Sequence, residues 1–345
     1  MEKKIITSLA TSNIALIKYW GKRDEKLILP QNSSLSITLG EELGTKTSVM
    51  FTGKKEPDKF YINGEEQDLT NKDIKERFEI IEIMRKLARV DSGVIVASQN
   101  SFPTAAGLAS SASGISALVF AVNYALNLDL SASQLAIIAR QGSGSACRSL
   151  AGGFVKWERG FKEDGSDSVI RQIAPADHWP ELVDIIAIAS TTKKKVSSRA
   201  GMKETVATSR LYKARLDYAE KASEEMEKAI LAKDFERMAM QTMVDSNNMH
   251  AVMLDTYPPV RYLNDVSNSV ISAITELNAS EGKNIAAYTF DAGPNANIIT
   301  LEEYKPKVLA CLEGIEGIQK TITTKVGSGP EIVDDVVNPE LFDGV

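Results

Sequence analysis

The first part of the chain has short apolar or β-branched runs beside Gly, Asn, Asp and Ser, a pattern typical of β-strands. The strands predicted from these runs lie at residues 5–10, 35–39, 47–51 and 94–98. Apolar residues recur at helical spacing in 73–88 and 111–127, which predicts two helices. Ser131 and Gln134 have the spacing of a capping box, so another helix is expected to begin there.

The pattern changes after the continuous apolar run at 185–189, which predicts a buried strand. Residues 202–257 contain no Gly or Pro and predict two or three helices. The later predictions are a helix through Leu277, strands at 286–290 and 297–300 about a Gly293-Pro294-Asn295 turn, a helix at 304–312 and a strand at 320–325. A domain boundary is expected near 185–192, with α+β domains on both sides.

Length and composition agree with a globular chain of about two domains, since 345 residues exceed what one core usually organises. Hydrophobic residues are 43% and charged residues 25%, which excludes disordered and collagen-like chains. A net charge of -6 argues against nucleic-acid or anionic-membrane partners. Two isolated cysteines and two isolated histidines form no zinc or disulfide pattern and fit a reducing cytoplasm. No signal peptide or membrane span is predicted.

The most informative segment is 103–114, PTAAGLASSASG, a run of small residues directly before a hydrophobic helix. A helix N-terminus presents unpaired N–H groups and about half a positive charge, so this segment favours phosphate binding. The alternative is a loop that merely packs closely. Neither the Walker pattern nor GxGxxG is present, so a nucleotide site here would be of another type.

Segment 13–24, NIALIKYWGKRD, sets three cations in six residues beside two aromatics, which suggests an anionic ligand. The alternative is a solvated basic loop that Trp20 anchors to the core. Segment 141–149 is a donor-rich turn in which Arg148 suits phosphate or carboxylate. Its alternative is a helix cap with a surface arginine.

Further candidates lie in the second half. Residues 193–199 form a basic cluster, for which a solvated face is the alternative. Asp291 ends an apolar strand before a Gly-Pro turn, so its carboxylate would be fixed on a rigid edge; a turn-capping Asp is the alternative. His250 is expected to be a packed helix residue. Cys147 is not expected to act as a nucleophile, because it lacks a histidine partner nearby in sequence.

Taken together, these segments resemble the mevalonate diphosphate decarboxylase family of the GHMP kinase superfamily. The resemblance covers nearly the whole chain and rests on segments 13–24, 103–113, 142–148, 195–202, 250–259 and 288–295. It implies a two-domain α+β GHMP kinase fold, with the active site between the domains and a homodimer as the assembly. The implied domains are a ribosomal S5 domain 2-like one at 1–187 and a ferredoxin-like one at 188–345.

The resemblance also implies a reaction in the cytoplasm with ATP and Mg²⁺ as cofactors. ATP phosphorylates the tertiary 3-hydroxyl of mevalonate 5-diphosphate, and loss of that phosphate with CO2 gives isopentenyl diphosphate for isoprenoid biosynthesis. The rivals are a kinase that stops at the phosphorylated product, a decarboxylase of the 5-monophosphate, and a catalytically silent nucleotide-binding or interaction protein.

By resemblance, roles fall on residues of these segments, while metal ligands stay unassigned. The catalytic set is Asp291, Arg148, Lys22 and Lys18. The substrate contacts are Tyr19, Trp20, Lys22, Ser143, Ser145, Arg148 and Arg199. The ATP contacts are Pro103, Ala105, Ala106, Gly107, Leu108, Ala109, Ser110, Ser111 and Lys194. Asp291 is expected to orient the tertiary alcohol and to take its proton late, because a carboxylate is a far weaker base than an alkoxide.

Overall fold

A computed structural model of the chain describes residues 4–101, 110–189 and 196–343, without the side chains at 72, 73, 77 and 110. The strands are β1 (Ile6–Thr11), β2 (Asn13–Ile17), β3 (Lys22–Asp24), β4 (Leu29–Pro30), β5 (Ser34–Thr38), β6 (Gly44–Phe51), β7 (Lys59–Ile62), β8 (Glu65–Glu66), β9 (Val94–Asn100), β10 (Phe154–Trp157), β11 (Ile170–Ala174), β12 (Leu182–Ile188), β13 (Ala286–Phe290), β14 (Ala296–Leu301), β15 (Lys320–Lys325) and β16 (Glu331–Val333). The α-helices are α1 (Lys72–Ala88), α2 (Ser110–Ala125), α3 (Ala132–Gly142), α4 (Ser198–Thr208), α5 (Tyr212–Leu231), α6 (Phe235–Leu254), α7 (Asp265–Glu281) and α8 (Lys305–Glu313).

The first half is built on a six-stranded and a four-stranded sheet. The six-stranded sheet has the order β16-β1-β6-β9-β7-β8, in which β7 and β9 are parallel. The four-stranded sheet has the order β11-β10-β5-β2 and is antiparallel. Apolar side chains of α1, α2 and α3 pack with the six-stranded sheet into one core. The predicted capping box is confirmed, since Ser131 and Gln134 bond each other's backbone N–H at the start of α3.

The second half contains one four-stranded antiparallel sheet in the order β13-β14-β12-β15. Helices α4 to α7 lie between its first and second strands along the chain, and α8 lies between its third and fourth. Counted within this half, the strand order is 4-1-3-2, which agrees with the expected ferredoxin-like domain. The predicted strand pair about the Gly293-Pro294-Asn295 turn is confirmed as β13 and β14. The α+β, two-domain fold class is therefore confirmed.

Sheet pairing describes how the chain divides. β12 begins at Leu182 and pairs with β14 and β15 of the second half. Near the end of the chain, β16 returns to the first half and pairs with β1. The division at 187/188 stays a prediction. Residues 182–187, which it assigns to the first domain, pair within the sheet of the second half. Glu331–Val333, which it assigns to the second domain, pair with β1 of the first half.

The two halves share a hydrophobic core. Ile14, Leu16 and Ile17 of β2 pack in one cluster with apolar residues of α5, α6 and β12. Strand β2 was not among the predicted elements. The alternative of a solvated basic loop at 13–24 is wrong, because Lys18, directly after this strand, is 1% exposed. In the described ranges, no helix is long and apolar enough to cross a membrane.

Candidate active site

An ion pair between Lys18 and Asp291 joins the two halves. Lys18 follows β2 of the first half, and Asp291 follows β13 of the second. The Lys18 Nζ lies 2.7 Å from Asp291 Oδ1, and the two side chains are 2% and 49% exposed. A buried ammonium requires a paired charge, because its desolvation is costly. The lysine is therefore fixed in the protein interior, while its carboxylate partner is open to a ligand.

The backbone of Lys18 is held from both halves. Its N–H donates to Asp245 Oδ2 at 2.7 Å, and its carbonyl accepts from Asn32 Nδ2 at 2.9 Å and from Arg215 Nη2 at 3.1 Å. Arg215 and Asp245 pair with each other at 3.2 Å, and both side chains are 0% exposed. Since each charge has its partner and further hydrogen bonds, this buried pair can position Lys18 rigidly.

Arg148 is held in place by two polar side chains of the first half. It lies in the 3-10 helix Gly144–Leu150 and is 3% exposed. Its Nε and Nη2 donate to Asn13 Oδ1 at 3.2 and 3.1 Å, and its Nη1 donates to Ser34 Oγ at 2.9 Å. Burial lowers the pKa of Arg148, and the negative charge of Asp291 acts in the opposite sense, so the two groups lie within electrostatic reach. The alternative of a surface arginine is wrong.

Serine hydroxyls connect the start of α2 with the turn after α3. The Oγ of Ser143 lies 3.3 Å from that of Ser111 and 3.4 Å from that of Ser145. Arg199, in the first turn of α4, donates from Nη2 to the carbonyl of Gly142 at 2.9 Å and pairs with Glu76. The structure therefore brings three predicted serines and the predicted Arg199 to one loop.

Tyr19 is packed against the same loop. Its ring centroid lies 4.9 Å from that of Trp157, and a Cβ built on Gly144 would lie 2.7 Å from Tyr19 Cε1. Only glycine allows this close approach at position 144. The Tyr19 hydroxyl is buried without a hydrogen-bond partner in the described part of the chain, and burial raises its pKa. An uncompensated buried hydroxyl of this kind is suited to a polar ligand.

Lys22 and Trp20 lie next to Tyr19 in sequence but have different surroundings. The Trp20 side chain is 1% exposed and packs with Tyr262 in a core cluster of the second half. Lys22 is also buried, and its Nζ lies 2.6 Å from Glu25 Oε2. Between them, Gly21 has a φ of +100°, and a Cβ there would meet the Tyr212 hydroxyl. Trp20 is thus placed as an anchor of this turn.

Most of the predicted ATP contacts lie outside the described residues. These are Pro103, Ala105, Ala106, Gly107, Leu108, Ala109 and Lys194. Ser110 opens α2, a helix of 16 residues that carries no acidic residue in its first turn. Such an N-terminus favours an anion through its unpaired N–H groups and its dipole.

His250 and Cys147 are packed rather than reactive. The His250 ring packs edge-on against Phe290, 6.2 Å between centroids. Burial, followed by the positive charge of Lys18, lowers the pKa of His250 to about 4. Burial raises the pKa of the Cys147 thiol to about 12. Near neutral pH the imidazole is therefore uncharged, which agrees with the packed role expected of His250, and the Cys147 thiol is protonated.

Several residues that shape the site were missed by sequence reasoning. Arg215 and Asp245 gave a signal, because each lies at helical spacing from buried apolar residues of α5 or α6. A charge on an apolar helix face indicates a buried partner. Asn13 and Asn32 had no comparable signal, since their roles depend on which strand ends meet. In residues 4–101, 110–189 and 196–343, no group of three or more His, Cys, Asp or Glu could hold a metal ion.

Comparison with known proteins covers both halves. The family model described as "Diphosphomevalonate decarboxylase-like N-terminal domain" matches residues 10–170, and "Mevalonate 5-diphosphate decarboxylase C-terminal domain" matches residues 184–317. The chain is 44% identical over 359 residues to the diphosphomevalonate decarboxylase of Schizosaccharomyces pombe, covering 100% of this chain and 91% of that protein.

Solved structures agree with these matches. The mevalonate diphosphate decarboxylase of Staphylococcus aureus superposes with a TM-score of 0.89 at 36% identity, covering 96% of this chain and 99% of that one. MDDEF in complex with MVAPP, AMPPCP and magnesium superposes with a TM-score of 0.86 at 37% identity, covering 97% of this chain and 100% of that one. The similarity therefore extends over the whole fold rather than over isolated motifs.

Proposed function

This chain belongs to the mevalonate 5-diphosphate decarboxylase family, and we propose that the residues around Lys18 and Asp291 carry out that family's reaction. The reaction is the ATP-dependent decarboxylation of mevalonate 5-diphosphate to isopentenyl diphosphate, ADP, phosphate and CO2, with ATP and Mg²⁺ as cofactors. The single observation that carries the proposal is the 2.7 Å contact of Lys18 Nζ with Asp291 Oδ1 at the junction of the two halves. It sets a half-exposed carboxylate where two anionic substrates must meet.

Asp291 is assigned to the tertiary 3-hydroxyl of the substrate. Lys18 favours the ionised form of the carboxylate through its charge and its hydrogen bond. An ionised Asp291 accepts the hydroxyl hydrogen bond, orients the oxygen toward the γ-phosphate and takes the proton late in the transfer. Because phosphoryl transfer is mostly positioning and charge neutralisation, this alignment is the main contribution of the carboxylate.

Arg148 is assigned to the substrate carboxylate. Its guanidinium is held by Asn13 and Ser34, so it is preorganised before the substrate arrives. After phosphorylation, loss of the phosphate generates positive character at C3, which the adjacent carboxylate quenches by losing CO2. Since that step disperses the carboxylate charge, contacts that bind it equally well throughout would not speed the reaction. Arg148 therefore acts mainly by fixing the direction of the carboxylate.

The diphosphate end is assigned to the loop after α3 and its neighbours. Tyr19 offers its buried hydroxyl, Ser143 and Ser145 offer theirs, and Lys22 and Arg199 offer positive charge. Lys22 and Arg199 are already paired with Glu25 and Glu76, so binding would exchange carboxylate partners for phosphate oxygens. Trp20 packs in the core and anchors this turn.

The nucleotide is assigned to the N-terminus of α2. Ser111 lies in its first turn and contacts Ser143 of the substrate loop, so ATP phosphates held there would lie next to the second substrate. Pro103, Ala105, Ala106, Gly107, Leu108, Ala109, Ser110 and Lys194 are assigned to the same phosphates by family resemblance. Mg²⁺, when bound, neutralises phosphate charge.

A coupled assay tests the reaction directly. Purified protein receives mevalonate 5-diphosphate, ATP and Mg²⁺, and ADP and CO2 are measured in the same sample. Equal release of both supports the proposal. ADP without CO2 indicates a kinase, CO2 released from the 5-monophosphate but not the 5-diphosphate indicates the other decarboxylase, and release of neither indicates a silent nucleotide-binding protein.

We also propose a homodimer in the cytoplasm. The two cysteines are not joined in a disulfide, as a reducing compartment allows. Light scattering during size exclusion checks the assembly, with an expected mass of twice the 37.6 kDa of the chain. The mass of a single chain would refute the dimer without bearing on the reaction.

A further inference from the structure

Two adjacent residues of α6 bind the backbone at the two partners of the Lys18–Asp291 ion pair. Asp245 Oδ2 accepts from the Lys18 N–H at 2.7 Å. Ser246 Oγ accepts at 3.0 Å from the N–H of Phe290, the residue before Asp291. The Asp245 and Ser246 residues are 0% and 1% exposed. One turn of a single helix therefore contacts the chain next to both charges of the site.

The Phe290 N–H depends on Ser246 because of where its strand lies. Strand β13 is at the edge of the sheet β13-β14-β12-β15. An edge strand directs some of its N–H groups away from the neighbouring strand, and a buried N–H needs an acceptor. Phe290 is 1% exposed, and the Ser246 hydroxyl is the acceptor of its N–H. Without this hydroxyl the buried N–H loses that acceptor, and the strand end can regain one only by moving.

The segment that carries Asp291 has further contacts with α6 and α7. His250, one turn further along α6, packs its ring edge-on against that of Phe290, 6.2 Å between centroids. Ser267, in the first turn of α7, donates from Oγ to the Pro294 carbonyl at 2.8 Å. The strand end before Asp291 and the turn after it are therefore both held by helices of the second half.

A displaced Asp291 carboxylate could not be followed by its partner. The Lys18 side chain is 2% exposed, and its backbone is bound by Asp245 and Arg215. A movement of Asp291 would therefore lengthen the 2.7 Å contact with Lys18 Nζ and turn the carboxylate away from the substrate hydroxyl. Misplacement of a reacting group by about 1 Å can lower a rate by about 10²-fold.

We propose that Ser246 is a positioning residue of the decarboxylation site. Its hydroxyl fixes the end of β13 on α6, while Asp245 in the same turn fixes the Lys18 backbone. The helix thereby sets the distance and direction between Lys18 and Asp291. Ser246 acts through the Phe290 backbone and is assigned no contact with substrate. The inference rests on the proposed function, in which Asp291 orients the tertiary hydroxyl.

The first test removes the Ser246 hydroxyl. Ser246→Ala is expected to lower kcat about 10-fold and to leave KM for both substrates within about 2-fold, because the groups assigned to binding keep their places. The assay is run where circular dichroism shows the variant to be folded. A kcat equal to that of the wild type would overturn the inference.

Two further variants separate the hydroxyl from the volume of the side chain. Ser246→Thr keeps an oxygen on Cβ, and Ser246→Val has a similar size without it. Both add a methyl group to a buried position, so any cost of crowding is shared. The kcat of Ser246→Thr is expected to exceed that of Ser246→Val by about 10-fold. Equal kcat values for the two would show that the hydroxyl has no positioning role.

The control removes another hydroxyl–backbone bond of the same sheet. Thr300 on β14 is 0% exposed and donates from Oγ1 to the Ile285 carbonyl at 2.7 Å. Thr300→Val is expected to lower the urea midpoint while kcat stays within about 2-fold of the wild type. If Thr300→Val lowered kcat as much as Ser246→Ala, general destabilisation would explain both, and the inference would be wrong.

A crystal structure of the wild type with mevalonate 5-diphosphate keeps the inference testable if the Ser246 variants fail to fold. The Ser246 Oγ is expected within about 3.5 Å of the Phe290 N while Asp291 contacts the 3-hydroxyl. Separation of Ser246 from Phe290 with the Asp291 contact intact would overturn the inference. The proposed function fails separately, if the wild type releases no CO2 from mevalonate 5-diphosphate.

Discussion

Lys18 and Asp291 are 273 positions apart in the chain, yet Lys18 Nζ and Asp291 Oδ1 are 2.7 Å apart. The contact exists only when β2 of the first half and β13 of the second are docked, with Arg215 and Asp245 holding the Lys18 backbone. Catalysis therefore depends on how the two halves dock as much as on any single side chain.

Asp291→Asn is expected to reduce kcat by at least about 10²-fold and to abolish ADP and CO2 release together. The amide preserves size but removes the charge that accepts the hydroxyl proton. ATP binding, measured by calorimetry or a fluorescent nucleotide, should be nearly unchanged, because Asp291 is assigned to the other substrate.

Asp129→Asn serves as the control for this variant. Asp129 is exposed and has a φ of +51°, a conformation that asparagine tolerates, so activity should stay at the wild-type level. Retained turnover in Asp291→Asn would remove this carboxylate from the mechanism.

Arg148→Gln is expected to lower kcat on the order of 10²-fold with a smaller effect on KM, since the guanidinium fixes the direction of the reacting carboxylate. Asn13→Ala removes the acceptor of two Arg148 nitrogens and should lower kcat about 10-fold. Steady-state kinetics of both variants test whether Arg148→Gln lowers kcat more than Asn13→Ala does. A rise in KM alone for Arg148→Gln would contradict the assignment.

Local pattern predicted much of the fold. The predicted bounds of helix α1 and strand β9 agree with the structure to within a few residues. Apolar residues recur at helical spacing over several turns of α1, and β9 is a largely apolar, β-branched run. Strand β2 was not predicted although NIALI is largely apolar, because the cations that follow it favour a loop. Strand β16 has three residues, and its existence depends on pairing with β1.

The site was predictable only in part, for a physical reason. Motifs indicated Lys18, Arg148 and Asp291 one at a time, but no local pattern states that the residues following β2 and β13 form an ion pair. Buried Asp184 illustrates the rest: within an apolar run it resembles an interruption of a strand. Its hydrogen-bond partner, Asn297, lies 113 positions away in the chain and is brought near only by tertiary structure.

Arg215→Met is expected to destabilise the protein by about 3–5 kcal/mol, because Asp245 would keep a buried charge without its partner. Arg215→Met combined with Asp245→Leu should recover part of this loss by removing both charges. Recovery should be incomplete, since Asp245 also accepts from the Lys18 N–H. Urea unfolding of the three proteins measures the effect, and a double variant less stable than Arg215→Met would refute the pairing argument.

The stability of the protein should fall as pH falls from about 6.5 to about 4, in part because of His250. Burial and the charge of Lys18 lower the His250 pKa in the folded state, so the unfolded chain binds the proton more tightly over this window. The stabilisation is complete above the unfolded-state pKa and is lost toward the folded-state value. His250→Gln cannot take up this proton and should show a shallower decline in urea midpoint between pH 6.5 and 4. His178→Gln, which replaces the other histidine of the chain, is the comparison. Parallel declines of the wild type and His250→Gln would show that the imidazole contributes nothing to the pH dependence.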